Sequence, residues 1–204
     1  MNSDVSQQHP WSVRMADSVM QRYSVLDNHW NYSAGVVLKG FEQVLSDTGN
    51  EQYATYIKTY IDSLVDPAGK IETYRLEEYN LDHINNGKSL FQLYRTTRDD
   101  RYKKAIYLLR EQLRHHPRTR DGGFWHKQIY PHQMWLDGIY MASPFYAEFA
   151  ATFDEPEAFD DIAHQILLIA HKTYEYYISE PVVANDYKAI GTFILASVEE
   201  EHLS

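Results

Sequence analysis

No cysteine occurs in this sequence. That excludes disulfide bonds, thiolate metal centres and a cysteine nucleophile, although it leaves the compartment open, since secreted proteins can also lack the residue. Basic charge is also short: 19 lysines and arginines stand against 29 aspartates and glutamates, a net charge of −10. A broad basic face for nucleic acid or an anionic membrane is therefore not expected. A small anionic substrate is not excluded, because charges beyond about 10 Å are largely screened and a local lysine or arginine decides. No apolar run is long enough to span a bilayer. The opening MNSDVSQQHPWSVRMADS lacks the basic-then-apolar build of a signal peptide, so the expected location is cytoplasmic. Glycine-rich phosphate loops and nucleophile-elbow motifs are absent too. The ten histidines offer no metal set: His115 and His116 are adjacent, and His126 and His132 are six apart with no carboxylate at ligand spacing. Neither a metal nor a cofactor is expected.

What is present is helix. A hydrophobic content of 44% with 24% charged residues is ordinary for a globular protein, and 204 residues suffice for one sizeable core. Residues 1–204 read as a single all-α domain. Helical periodicity recurs eight times. Some of these helices have one apolar face: Trp11 to Leu26; residues 51–65 through Tyr53, Tyr56, Ile57, Tyr60, Ile61 and Leu64; residues 99–116 through Tyr102, Ala105, Ile106, Leu109 and Leu113; and Phe159 to Tyr174 through Ile162, Ala163, Ile166, Ile169 and Ala170. Between them lie segments apolar on nearly all sides, at 31–46, 82–96, 134–153 and, more weakly, 186–198. Pro144 should kink the third of these, lacking the N–H that would pair with Tyr140. Short turns such as TGNEQY (48–53), TRDDRY (97–102) and TFDEPEAF (152–159) repeat at about 50 residues. The pattern implies an inner layer of buried helices inside an outer one, a helical toroid. Strand signals are few, the best being GKIETY and GGFWHKQIY.

Each inner segment begins with a polar and aromatic cluster: HWNYSAG (29–35), YNLDHINNG (79–87), HQMWLDG (132–138) and ANDYKAIG (184–191). Parallel inner helices bring these starts to one mouth, gathering Trp30, Tyr32, Asp82, His83, Trp135, Asp137 and Asp186. Helix N-termini tolerate carboxylates there. Asp82 and Asp186 read equally well as plain helix caps. Asp137 lies beyond the expected cap at Pro131-His132, among bulky apolar neighbours, and fits either a chemical or a buried structural role. The long loop HHPRTRDGGFWHKQIYPHQ (115–133) carries His126, Lys127 and Arg118, each able to reach over the mouth or to stay solvated.

The stretches PRTRDGGFWHKQIYPHQMWLDGIYMASPFYAEFA, WNYSAGVVLKG and YNLDHINNGKSLFQLYRTT closely resemble the unsaturated rhamnogalacturonyl hydrolases of glycoside hydrolase family 105, relatives of the unsaturated glucuronyl hydrolases of family 88. The resemblance is dense from about residue 11 to 171. It implies an (α/α)6 barrel and a cytoplasmic enzyme that acts on oligosaccharides left by pectin lyases. It also implies an unusual reaction, hydration of the C4–C5 double bond of a terminal unsaturated galacturonic acid. The hemiketal so formed opens and releases a rhamnose-ended product. By the same resemblance Asp137 is the general acid/base, Asp82 is the second acid, and Tyr32, His126, Lys127 and Trp135 line the sugar site; Trp30, gathered at the same mouth, is expected to bind the sugar with them. A carboxyl that both gives and takes a proton needs a raised pKa, and the apolar Trp135, Leu136 and Ile139 are neighbours of the kind that raise it.

The sequence departs from the family after the seventh helix. LLIAHK runs into TYEYYISEPVVANDYKAIGTFILAS, which resembles the family's extreme C-terminus. Residues 1–172 thus match the N-terminal part and 173–204 the C-terminal end, with a seam near Lys172-Thr173. The expectation is an incomplete toroid of about eight helices where twelve would close the barrel. Exposed apolar surface at the gap would then favour self-association. Alternatives are an unsaturated glucuronyl hydrolase, a non-catalytic sugar-binding scaffold, and an inactive shortened chain.

Overall fold

The computed structural model describes residues 9–26, 28–170, 194–195 and 198. Within them the chain forms α1 (Trp11–Arg22), α2 (Tyr32–Thr48), α3 (Glu51–Leu64), a 3-10 turn (Leu76–Glu78), α4 (Leu81–Asn85), α5 (Lys88–Thr97), α6 (Asp100–His115), α7 (Asp137–Phe153) and α8 (Ala158–Ala170). No strand forms among the described residues: GKIETY and GGFWHKQIY contribute only isolated bridges, Val65 to Ile71 and Arg118 to Phe124. Asp186, the seam at Lys172-Thr173 and most of the helix expected at 186–198 lie outside the described residues. Ile194 and Val198 of that segment are helical and fully buried.

The two-residue connections from α2 to α3 and from α5 to α6 repeat one piece of chemistry. Gly49 ends α2 in the left-handed region (φ 64°), and Asn50 then caps α3 by accepting the Gln52 N–H. Arg98 ends α5 in the same region (φ 57°), and Asp99 caps α6 by accepting the Arg101 N–H. In each turn the preceding threonine Oγ1 accepts the N–H of the capping residue. Arg98 carries a Cβ where Gly49 has none, so the second turn bears strain of about 1 kcal/mol.

Packing sorts the helices into two layers. α2, α4, α5 and α7 pack on one another as the inner layer, with α3 against α2 and α5, α6 against α5 and α7, and α8 against α7. The expected apolar faces of α3 and α6 are buried at every named position. Such an arrangement of helical hairpins is part of an (α/α) toroid. Among the described residues, no helix is long and apolar enough to cross a membrane.

Four expectations need correction. The inner segment at 82–96 is broken into α4 and α5 at Asn86-Gly87, where Leu109 and Phe145 press on Gly87: a Cβ there would lie 2.4 Å from Leu109 Cδ1 and 2.8 Å from Phe145 Cδ2. α7 starts at Asp137 rather than 134, so Asp137 stands in its first turn, next to the half-in residue Leu136. Nor is α7 buried all round. Leu136, Ile139, Tyr140, Ser143, Pro144 and Ala147 line an open groove of about 710 Å³ with Ile162 of α8. Finally, α8 buries Ala158, Ile162, Gln165 and Ile169 while Phe159, Ile166 and Leu167 stay exposed. The rotation follows from Gln165, whose amide oxygen accepts the Phe124 N–H (2.8 Å) and whose amide nitrogen donates to the Gly122 carbonyl (3.0 Å).

Candidate active site

The site is built by tying the 115–133 loop to α4. His116, at the end of α6, is buried and lies 2.7 Å through Nε2 from the Trp125 carbonyl oxygen. Burial depresses its pKa to about 4, so at neutral pH the ring is uncharged and donates to that carbonyl. One residue on, His126 donates its N–H to the Gln133 carbonyl and accepts the Leu81 N–H at its own carbonyl. These bonds fix the His126 ring beneath the start of α4. Arg118 is not over the mouth; its guanidinium pairs with Asp161 of α8 (2.8 and 2.6 Å) and anchors the loop from the outside.

Asp82 lies in the first turn of α4, and Asn80 is the cap there, accepting the Asp82 N–H. With the capping position filled, the Asp82 carboxylate is free to meet two cations or donors. Lys127 Nζ stands 2.7 Å from Oδ2, and His126 Nε2 stands 3.3 Å from Oδ1. Burial pushes the Asp82 pKa up, but the hydrogen bonds and charges of His126 and Lys127 outweigh it and hold the carboxyl below the usual aspartate range. The group stays ionised.

Asp137 meets the opposite balance. Its Oδ1 lies 4.0 Å from His126 Nδ1, beyond a hydrogen bond, and 48% of its side chain is open. Protein crowds the other side. Desolvation raises the carboxyl pKa, the Asp82 charge adds to the rise, and His126 and the N–H groups of Asp137 and Gly138 only partly offset it. Gly138 permits the approach of α7 to this loop, since a Cβ would stand 3.2 Å from Leu81 Cδ1 and 3.5 Å from His126 Nδ1.

Trp135 lies just before α7 and stacks on His126 (centroids 4.3 Å, planes 9° apart), with Tyr130 also stacked on it at 5.0 Å. Its indole N–H donates to Gln133 Oε1. Asp82, His126, Lys127, Trp135 and Asp137 therefore form one group. Tyr32 opens α2, half-buried against the core. Trp30 is the exception among the expected sugar contacts. It is 1% exposed, and its indole N–H donates to the His83 carbonyl (2.7 Å), so it packs behind the mouth and offers no open ring face. His83 is half-buried, edge-on against Tyr74, and desolvation lowers its pKa.

Asp82, His126 and Asp137 offer ligand atoms within 4.8 Å of one another, a proximity invisible in the sequence. The set is a poor cation cradle. The two carboxylates face different nitrogens of one imidazole, and the Lys127 ammonium already holds the second Asp82 oxygen. The arrangement suits proton handling: an ionised acid, a bridging imidazole and a second acid whose proton is retained to higher pH.

Comparison with known proteins gives the family and the fold. The Glycosyl Hydrolase Family 88 profile matches residues 11–175. The unsaturated rhamnogalacturonyl hydrolase YesR of Bacillus subtilis (strain 168) is 24% identical over 179 residues, covering 85% of this chain and 48% of YesR. A glycoside hydrolase from family 105 of C. acetobutylicum ATCC 824 superposes with a TM-score of 0.77 at 37% identity, over 94% of this chain and 59% of that one. A Klebsiella pneumoniae protein described as a possible member of the same family shares the fold (TM-score 0.63, 18% identity, 84% of this chain and 53% of that one). The chain spans about half the length of YesR. By its profile match, its helical layers and its structural neighbours, the chain belongs to the glycosyl hydrolase family 88 and 105 group.

Proposed function

We propose that the chain hydrates the C4–C5 double bond of a terminal unsaturated uronic acid on a rhamnogalacturonan oligosaccharide, a step in pectin breakdown. The observation that carries this reading is the opposite displacement of two neighbouring carboxyls, Asp82 held ionised and Asp137 held toward its protonated form. A carboxyl that both gives and takes a proton needs such a raised pKa, and a fixed ionised neighbour helps to supply it. Protonated Asp137 gives its proton to C4 of the alkene. Water adds its oxygen to C5 and loses a proton to the Asp137 carboxylate, which restores the acid. The C5 hydroxyl so formed makes a hemiketal; the C5–ring oxygen bond breaks to leave a ketone at C5, and the C1 hemiacetal collapses with loss of the next sugar. One water is consumed in all.

Asp82, fixed by Lys127 and His126, adds negative charge beside Asp137 and thereby supports its raised pKa. Trp135, with Tyr130 and His126 stacked on it, holds the imidazole in place beside the two carboxyls. The rhamnogalacturonan class is favoured by the likeness to YesR, and the family 88 profile makes unsaturated glucuronyl sugars the competing class. The test is to offer both unsaturated disaccharides and their saturated counterparts, following release of the second sugar. Cleavage of an unsaturated disaccharide with its saturated form untouched supports alkene hydration. Cleavage of both forms contradicts it, since ordinary glycosidic hydrolysis needs no double bond.

A further inference from the structure

α8 carries two sets of residues at helical spacing, and one of them is left open. Ala158, Ile162, Gln165 and Ile169 are buried. Phe159, Ala163, Ile166, Leu167 and Ala170 share the adjoining flank and are exposed, Phe159 to 47%, Ile166 to 46% and Leu167 to 60%. The other flank is taken up by the 115–133 loop: Asp161 pairs with Arg118, His164 Nε2 lies 2.7 Å from the Asp121 carbonyl oxygen, and Leu168 stands beside Gly123. Ile162 is three residues after Phe159 and four before Ile166, one turn from each, and it also lines the α7 groove. Groove and exposed stripe are therefore one continuous apolar edge.

In stacked helical hairpins each unit covers the one before, and a terminal unit keeps a polar outer face. The α7–α8 hairpin does not. Among the described residues, five of the eight large apolar side chains left exposed lie on this edge: Leu136, Tyr140, Phe159, Ile166 and Leu167. About half open, they present roughly 500 Å² of side chain, against the ~800 Å² that each partner gives to a stable interface. Ile139, Pro144 and Ala147 of the groove add to it. The other three exposed side chains are scattered. Trp11 lies under the Arg14 guanidinium, Tyr107 packs on Phe149 and Phe153, and Ile129 stands in the loop. Ile194 and Val198 are fully buried and do not line the groove. Among the described residues, the face that matches this edge is the edge itself. The α8 stripe also holds no acid, so two copies of a chain with net charge −10 meet there without like-charge contact.

We propose that two copies of this chain pair through their α7–α8 edges about a two-fold axis, the α8 stripe of each covering the α7 groove of the other. A two-fold interface sets one surface against itself, whereas head-to-tail packing needs a second apolar face.

Sedimentation velocity of the full chain between about 1 and 100 µM reads the assembly. The expected result is a monomer–dimer equilibrium that Leu167→Glu weakens at least about 100-fold, because two carboxylates then enter the same apolar contact. The exposed position keeps that variant folded, which its circular dichroism checks. Since the chain has no cysteine, Leu167→Cys adds a single thiol that reports on the edge without adding charge. A maleimide should reach that thiol in dilute protein and be excluded from it in the dimer. Wild-type protein that stays monomeric to about 100 µM overturns the pairing. A shielded thiol in that monomer assigns the edge to residues 171–193 of the same chain, and a reactive one leaves it to a different protein. Assemblies larger than a dimer overturn the proposal as well, and so does a dimer that Leu167→Glu leaves intact.

Discussion

His126 Nδ1 stands 4.0 Å from Asp137 Oδ1, too far for a hydrogen bond and close enough for charge on the imidazole to act on the carboxyl. The same ring faces Asp82 through Nε2. Replacing His126 by Phe keeps an aromatic ring against Trp135 while removing both nitrogens. Because His126 lowers the Asp137 pKa, its loss moves the Asp137 titration to higher pH. Carboxyl-carbon NMR of the two proteins reads this directly; an unmoved or lower midpoint contradicts the geometry.

Asp82 predicts a stability change with a definite pH window. Its pKa is depressed in the folded protein, so its contribution is present above the unfolded aspartate value and is lost as pH falls through the folded value. At pH 7, Asp82→Asn should cost about 1–3 kcal/mol, because His126 and Lys127 lose their acceptor. The gap between the two proteins should close below about pH 4. Denaturant midpoints across this range check the sign.

Asp137→Asn runs the other way. The folded pKa is raised, so the unfolded chain releases this proton first and the wild-type protein loses stability as pH climbs from the ordinary aspartate value through the folded one. The variant, having no proton to release, should match or exceed wild-type stability at pH 7. A marked loss would point to a structural task for this carboxylate.

Gly87 marks a tight meeting of α5, α6 and α7. Its backbone is ordinary right-handed helix (φ −64°), so the issue is space alone, with Leu109 and Phe145 inside contact distance of any Cβ. Gly87→Ala should cost about 1–3 kcal/mol while leaving the far-ultraviolet circular dichroism unchanged. Chemical denaturation measures it.

Much of this fold is legible in the sequence because helical periodicity reports burial. Tyr53, Tyr56, Ile57, Tyr60, Ile61 and Leu64 share a stripe in the sequence and are all buried in α3. The repeated Thr-x-Asn/Asp turns are equally readable, since their caps are local chemistry. Tertiary contacts are not. Trp135 continues the apolar pattern of α7, yet it stands outside the helix because its ring turns to stack on His126. Trp30 and Trp135 open similar clusters, and only packing decides that one is enclosed and the other lies at the site.

The proton assigned to Asp137 is tested most directly by the ultraviolet absorbance of the alkene. An unsaturated rhamnogalacturonan disaccharide is incubated with the wild-type chain and with folded Asp137→Asn at equal concentration. The account predicts steady loss of absorbance with the wild type and a rate lower by at least about 100-fold in the variant. Equal rates in the two proteins, or no loss with folded wild type, would contradict it.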